Sequence, residues 1–355
     1  MCGICSEAMG KRAAPAGRPL GPREALFAGE EPLPSLPVCD HYAGTEVRML
    51  KSLELQAQLG PVFDVTLDCE DGAPVGGEIE QAERIAELVN SPLNLHGRVG
   101  ARAMPPDHPR FEEVIDILVG RAGARLAYLM LPKARDAQAF ERAAAAVDAA
   151  ATAHGLERRI PLHALVETHG ALRDVMRIAA HPRIESLSFG LMDFISAHRG
   201  AIPLTAMSAS GQFEHPLIVR AKLEISAACH AHGKTPSHCV VTEFRDIDAL
   251  QIATRRAISE FGYTRMWSIH PRQVEAIIEA FAPTVAEIDM AIDIISAAQD
   301  ADWAPIGHTQ SGQDQLHDRA SYRYLWQVLE RAHRTGQPLP AEVRLRFFGA
   351  TDAAH

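Results

Sequence analysis

The sequence predicts an α/β fold, a TIM-type (β/α)8 barrel. A flexible N-terminal tail is expected over residues 1–34, the barrel over 35–283 and a C-terminal helical extension or lid over 284–355. Three observations predict this. Short apolar, β-rich runs alternate without interruption with helical stretches, the pattern of a parallel sheet covered by helices. Eight such units occur, which favours a closed barrel over an open sheet. A barrel needs about 250 residues, so a chain of 355 accommodates one barrel and two flanking segments better than two independent domains.

Residues 1–34 are rich in Gly, Pro, Ala and Arg and read as a tail. Strand one begins near 35–39. A helix follows at 46–59, with apolar Val47, Leu50, Leu53 and Leu55. Strand two, 61–67, runs into Asp68-Cys69-Glu70-Asp71-Gly72. Residues 78–89 are helical by period. Strand three, 94–101, carries Arg98, and a helix covers 111–119. Strand four, 127–131, is stopped by Pro132-Lys133. The alanine-rich stretch 136–153 is strongly helical. Strand five, 160–166, ends at Glu167, and a helix at 172–180 stops at His181-Pro182. Strand six, 184–189, leads into Gly190-Leu191-Met192-Asp193. Residues 196–212 show no period, and loops that long inside compact domains are often functional. A helix at 216–231, strand seven at 237–242, a helix at 246–260 and strand eight at 263–269 complete the barrel, ending in His270-Pro271. Helical patterns at 285–298 and 319–334 follow. The polar, Gly-containing segment 307–318 between them is a candidate lid or oligomer contact.

Composition narrows the function. A hydrophobic share of 47% and a charged share of 23% are ordinary for a soluble globular enzyme. The formal net charge of −10 argues against a nucleic-acid partner, which needs a positive footprint. No apolar run approaches the roughly 20 residues that span a bilayer. The N-terminus lacks the apolar region of a secretory signal, and Pro15, Pro19 and Pro22 break any amphipathic transit helix, so a cytoplasmic location is expected. Cys2 and Cys5 form a CxxC pair, but no second pair or matching histidines follow to complete a zinc site. The other four cysteines lie in apolar contexts and read as small core residues. No P-loop and no GxGxxG after a strand is present.

Strand ends of a parallel barrel meet on one face, so the short charged clusters converge on one pocket. Glu167 and Asp193 end consecutive strands, which lie about 5 Å apart. Two carboxylates with water and substrate oxygens suit Mg²⁺; the competing reading is that Glu167 caps or ion-pairs the next helix and Asp193 caps a turn. Arg98, inside an apolar strand, must be paired. It suits a substrate carboxylate, or Glu70 and Asp71 as structural partners, and both can hold at once. Arg102 is the weaker candidate, further along and expected to be exposed. Glu70 and Asp71, beside Asp68, form a dense anionic group that raises at least one pKa unless cations are near. They read as ligands of metal-bound waters or acid/base groups, or Asp71 as a helix cap. Lys133 reads as charge balance for Glu167 more readily than as a Schiff-base lysine. His270 precedes a proline at a helix start and either touches substrate or packs behind it.

Taken together, these motifs resemble the citrate lyase β-subunit-like group of the HpcH/HpaI aldolase family, which includes malyl-CoA and citramalyl-CoA lyases. The carriers are Leu67-Asp68-Cys69-Glu70-Asp71-Gly72, Leu131-Pro132-Lys133, Val166-Glu167-Thr168-His169-Gly170, Gly190-Leu191-Met192-Asp193-Phe194 and Gly262-Tyr263 through Ile269-His270-Pro271-Arg272-Gln273-Val274. The resemblance implies a Mg²⁺-dependent barrel lyase with Glu167 and Asp193 as metal ligands and Arg98 on the carboxylate of a 2-oxo acid unit. Glu70 and Asp71 would sit around the metal waters and substrate. An acid from a neighbouring subunit's C-terminal lid, Asp318 in preference to Asp314, would complete the site. It implies a homo-oligomer, a trimer or hexamer. Two stretches depart from the pattern: 236–240, which lacks an expected Asp, and 198–212, which does not align. The implied reaction splits a malyl-, citramalyl- or citryl-type CoA thioester into a 2-oxo acid and an acyl-CoA, or runs in reverse. Two alternatives stand beside it: a CoA-independent, metal-dependent class II pyruvate aldolase joining pyruvate to an aldehyde, and a non-catalytic metabolite-binding barrel subunit; the substrate is a small carboxylic acid or a CoA thioester.

Overall fold

The computed structural model describes residues 19–30, 34–310 and 313–349. The Cys2/Cys5 pair and most of the expected N-terminal tail lie outside them. The described residues form two compact units: one from within 32–282 and 331–338, the other from within 1–31, 283–330 and 339–352.

The first unit is a closed barrel of eight parallel strands, each paired with its neighbours in chain order. The strands are β1 Cys39–Ala43, β2 Phe63–Asp68, β3 Val99–Arg102, β4 Leu129–Leu131, β5 Leu162–Val166, β6 Ile184–Phe189, β7 Thr235–His238 and β8 Arg265–Ser268. Cys39, Asp40 and His41 of β1 pair with Met266, Trp267 and Ser268 of β8, which closes the ring. This is the (β/α)8 architecture the alternating pattern predicts. Alternation along each strand sorts side chains between two compartments. Phe63, Val65 and Leu67 of β2 join the apolar layer under the helices. Asp64, Thr66 and Asp68 face the lumen, where their partners lie on other strands.

The lumen is layered. At the amino end Arg265 is fully buried and bridges Asp64 (Nη1 to Oδ2, 2.6 Å) and Asp40 (Nη2 to Oδ2, 3.1 Å). Thr66 and Tyr128 both donate hydroxyls to Asp40 Oδ1, at 2.7 and 3.0 Å. Nearer the carboxyl end Met130, Leu165, Val240 and Trp267 form a small apolar cluster with Tyr42 packed against it. This polar interior explains why β1 begins later than expected: the strand is Cys-Asp-His-Tyr-Ala, whose buried acid and imidazole hide it in a hydropathy pattern. The same effect shifts strand three. The expected run of 94–101 is observed only from Val99 to Arg102.

Helices fill the crossovers. Asp136 starts Ala137–Ala153 by accepting from the Ala139 amide, and Asp246 starts Ile247–Phe261 through the Ala249 amide, ordinary N-caps worth about 1 kcal/mol each. The expected helix 172–180 is two short turns, His169–Arg173 and Val175–Ala179. The aperiodic stretch after β6 contains two 3-10 turns, Leu204–Met207 and Gly211–Phe213. A further helix, Pro271–Phe281, follows β8.

The second unit comprises helices Pro22–Leu26, Val285–Asp300, Arg319–Arg334 (through Glu330) and Ala341–Phe347, with a two-stranded hairpin, β9 Ile306–Gln310 and β10 Gln313–His317. Thr284 and Glu287 form a reciprocal capping box at the start of Val285–Asp300. Ion pairs Arg23–Glu330 and Arg323–Glu30, each at 2.5 Å, tie the first short helix to the long one. No helix among the described residues is long and apolar enough to cross a membrane.

Candidate active site

The carboxyl end of the barrel gathers a charged cluster from five strand ends, β2 to β6. β2 finishes at Asp68, whose Oδ1 accepts the Glu70 amide (2.9 Å) and Oδ2 the Gly72 amide (2.8 Å). These two bonds fold Cys69 to Gly72 into a tight turn. A Cβ at Gly72 would stand 2.5 Å from Asp68 Oδ2, so only glycine fits there. Arg102, the last residue of β3, lies in register with Asp68. It grips that carboxylate with both Nε (2.7 Å) and Nη2 (2.5 Å), and its Nη1 lies 2.9 Å from Glu70 Oε2. Such forked pairing fixes the guanidinium plane.

Lys133 follows β4 and has a left-handed backbone, φ 49°. That turn directs its amide to Glu167 Oε1 (2.7 Å) and places its Nζ among three acids. The Nζ lies 2.6 Å from Glu70 Oε1, 2.8 Å from Asp71 Oδ2 and 3.4 Å from Asp193 Oδ1. Glu167 follows β5 and is only 2% exposed. Gly190, after β6, makes room for it: a Cβ at Gly190 would collide with Glu167 Oε2. Asp193 sits in the first turn of Leu191–Ser196, where the helix dipole favours a carboxylate. Asp71 and Asp193 are open to solvent, at 55% and 39% side-chain exposure. Below them the floor is apolar, with Tyr42 stacked on Trp267 at 4.2 Å between ring centres and the Trp267 indole donating to Ser188 (2.9 Å).

The electrostatics follow from burial. Burial pushes the Glu167 carboxyl well above the usual range, and the charges of Asp193 and Glu70 add to this against the pull of Arg102. Burial also raises Glu70, outweighing Arg102 and Lys133. Burial disfavours the Lys133 ammonium, but Asp71, Glu70 and Asp193 overcome it and hold the lysine protonated.

Five carboxylates (Asp68, Glu70, Asp71, Glu167 and Asp193) thus share two cations, Arg102 and Lys133. Among the described residues no three acids, histidines or cysteines are already drawn into a metal cage, because the Lys133 ammonium stands between them. The donor set nonetheless fits a hard divalent ion. It is all oxygen, it carries surplus negative charge, and both Glu70 oxygens are buried without a well-aligned hydrogen bond.

Of the residues singled out in the sequence, Glu70, Asp71, Lys133, Glu167 and Asp193 come together. Arg98 does not. It precedes β3 and lies at the opposite, amino end, 3.9 Å from Asp64 Oδ1. Four residues of strand separate it from Arg102, about 13 Å at the usual rise. Arg102, expected to be exposed, is 7% exposed and takes the place assigned to Arg98. The pairing of β2 with β3, Asp68 opposite Arg102, sets Arg102 against the DCEDG turn, and hydropathy alone carries no signal of that register. His270 follows β8 and caps Pro271–Phe281, its Nδ1 accepting the Arg272 amide at 3.2 Å and its ring stacked on Phe244. Asp318 belongs to the second unit, where its Oδ1 accepts the Ala320 amide (3.0 Å) at the start of Arg319–Arg334; Asp314 accepts the Thr309 hydroxyl (2.5 Å).

Comparison with known proteins gives the family and agrees with the barrel fold. Residues 64–271 match the HpcH/HpaI aldolase/citrate lyase family. A citrate lyase of Burkholderia xenovorans LB400 is 52% identical, with a TM-score of 0.79 over 93% of this chain and 100% of that one. The L-malyl-CoA/beta-methylmalyl-CoA lyase of Cereibacter sphaeroides is 27% identical over 247 residues, 66% of this chain and 76% of the relative. The protein CitE of Mycobacterium tuberculosis, solved with magnesium, acetoacetate and coenzyme A, shares the fold at 20% identity and a TM-score of 0.63, over 84% of this chain and 98% of that one. The match runs from the second strand through the end of the eighth, and so takes in every acid and both cations of the cluster: the chain belongs to the HpcH/HpaI aldolase/citrate lyase family.

Proposed function

We propose that this protein is a Mg²⁺-dependent carbon–carbon lyase. It cleaves a 2-hydroxy-carboxylic acyl-CoA of malyl, citramalyl or citryl type into a 2-oxo acid and an acyl-CoA, or joins the two in reverse. One observation carries the reading: Glu70, Asp71, Glu167 and Asp193 meet Arg102 and Lys133 over an apolar floor at the carboxyl end of the barrel. The citrate and malyl-CoA lyases among the relatives supply the substrate class, and the CitE protein solved with magnesium supports the ion.

Glu167 and Asp193 would hold Mg²⁺, leaving positions for substrate oxygens. When bound, the ion lowers the pKa of the substrate hydroxyl and stabilises charge that develops beside it. Arg102, in place of Arg98, would bind the substrate carboxylate. Its Nε and Nη2 donate to Asp68 and its Nη1 lies 2.9 Å from Glu70 without an aligned hydrogen bond, so N–H groups remain for a substrate carboxylate. Glu70 is the acid/base group. Burial raises its pKa toward the working range, where general bases are most effective. It takes the hydroxyl proton as the C–C bond breaks, and the acyl half departs as an enolate that is then protonated. Asp71 and Lys133 hold the charge balance as protons move. Asp318 of a neighbouring copy would close the site, making the working form a homo-oligomer. The four described cysteines are free and buried, as suits a reducing cytoplasm.

The test is product analysis. Malyl-, citramalyl- and citryl-CoA are incubated with enzyme and Mg²⁺ while 2-oxo acid and acyl-CoA are followed separately. Mg²⁺-dependent, equimolar release of both is expected from one of them. Free CoA without 2-oxo acid, or aldol activity on pyruvate without any thioester, would overturn the assignment.

A further inference from the structure

The amino end of the barrel holds a cavity of about 250 Å³ that the reaction at the other end does not use. Asp64, Arg98, Arg158 and Glu185 bring the charge to its lining. Asp64 is 1% exposed. Its Oδ2 is taken by Arg265 (2.6 Å), but its Oδ1 has no hydrogen-bond donor. Arg98 Nη1 stops 3.9 Å short of that oxygen. Burial pushes the Asp64 carboxyl up in spite of Arg265 and Arg98, as expected of an anion short of donors. Arg158 is fixed in advance, because its Nη1 donates to the carbonyls of Gly123 and Leu126, both at 2.7 Å. Glu185 adds a second carboxylate, 32% exposed.

Two carboxylates and two guanidinium groups make a charged but balanced lining. A simple anion satisfies only the arginines, and a simple cation only the acids. The volume falls below the roughly 300–1,000 Å³ of sites for drug-sized ligands, which excludes a nucleotide or a CoA ester. We propose that this cavity binds a small zwitterion of amino-acid size, its ammonium donating to Asp64 Oδ1 and its carboxylate accepting from Arg98 and Arg158. The site is separate from the lyase centre and does not depend on the reaction assigned there.

Calorimetric titration of the full-length protein tests this, with glycine, alanine, serine and aspartate as probes, and acetate and methylammonium as single-charge controls. At least one amino acid is expected to bind one per chain below about 10 mM, with both controls weaker by at least about tenfold. Arg98→Leu should weaken that binding about tenfold or more, with lyase rate and melting temperature little changed. Glu185→Gln, at a partly exposed group, gives a second variant in which affinity should fall. No binding in the native protein, equal binding of the single-charge ions, or unaltered affinity in both variants would each overturn the proposal and leave a water-filled cavity.

Discussion

The two ends of the barrel bury charge in opposite ways. At the amino end Arg265 sits between Asp40 and Asp64, all three at most 1% exposed. At the carboxyl end five acids share Arg102 and Lys133, and two of those acids stand half open to solvent. Burial of charge therefore does not by itself mark the reactive end. What sets the proposed reactive end apart is a surplus of one sign with an opening to solvent. This matches the general division of such barrels, chemistry at the carboxyl face and stability at the amino face.

Substitutions at the two ends should separate activity from stability. The largest effect is expected for Glu167→Gln. Removing a carboxylate proposed to hold Mg²⁺ should lower kcat/KM by on the order of 10³-fold. The melting temperature should hold or rise, because a desolvated acid among other acids is lost. A large fall in melting temperature with modest loss of rate would erase the contrast between the ends. Asp64→Asn is the mirror experiment. It breaks a buried ion pair and should cost about 3 kcal/mol in urea unfolding, with kcat within a few-fold of native.

Mg²⁺ sharpens the same comparison. At about 100 times its dissociation constant the ion should add about 2.7 kcal/mol to the unfolding free energy of chelator-treated protein. That gain should vanish in Glu167→Gln and persist in Asp64→Asn. If calorimetry shows Asp64→Asn losing it instead, the ion has been placed at the wrong end.

Acid should act through a residue of the wall that both ends share. Burial holds His41 neutral, its pKa lowered from 6.5 to about 4, and its Nδ1 lies 3.0 Å from the Ser268 hydroxyl. A depressed folded pKa gives stability that is complete above the unfolded value and is lost as pH falls toward the folded one. About 2 kcal/mol should therefore disappear between pH 7 and pH 5, and His41→Asn should flatten that part of the urea profile. Arg98→Leu should have the smallest effect on the reaction, less than about twofold in kcat/KM; a loss as large as that of Arg102→Leu would return Arg98 to the active site.

The sequence made the architecture plain because apolar runs and helical stretches alternate eight times. It also named most of the cluster, since Glu70, Asp71, Lys133, Glu167 and Asp193 each follow a recognisable strand. It misplaced the arginine. Arg98 precedes and Arg102 ends a strand of only four residues, Val-Gly-Ala-Arg, and hydropathy cannot say where so short a strand begins. Only pairing with β2 sets that register, and pairing is a tertiary fact. The start of β1 was hidden for a related reason: Asp40 and His41 look like loop residues until the Arg265 guanidinium, more than two hundred positions later, gives the acid its partner. The sequence could not foretell the Lys133 ammonium lying among the acids, because that depends on a left-handed residue after β4.

The Arg265 bridge also bears on how the chain comes off the ribosome. Asp40 and Asp64 lie on the first two strands, and their shared cation arrives only with the eighth. Until then the two aspartates lack the guanidinium that bridges them, and Arg98, 3.9 Å from Asp64, makes no hydrogen bond in its place, so closing the lumen over them would be strongly penalised. Closure of the cylinder is thus tied to the end of its own synthesis, and truncated products ending before residue 265 should stay open, aggregate-prone and visible to quality control.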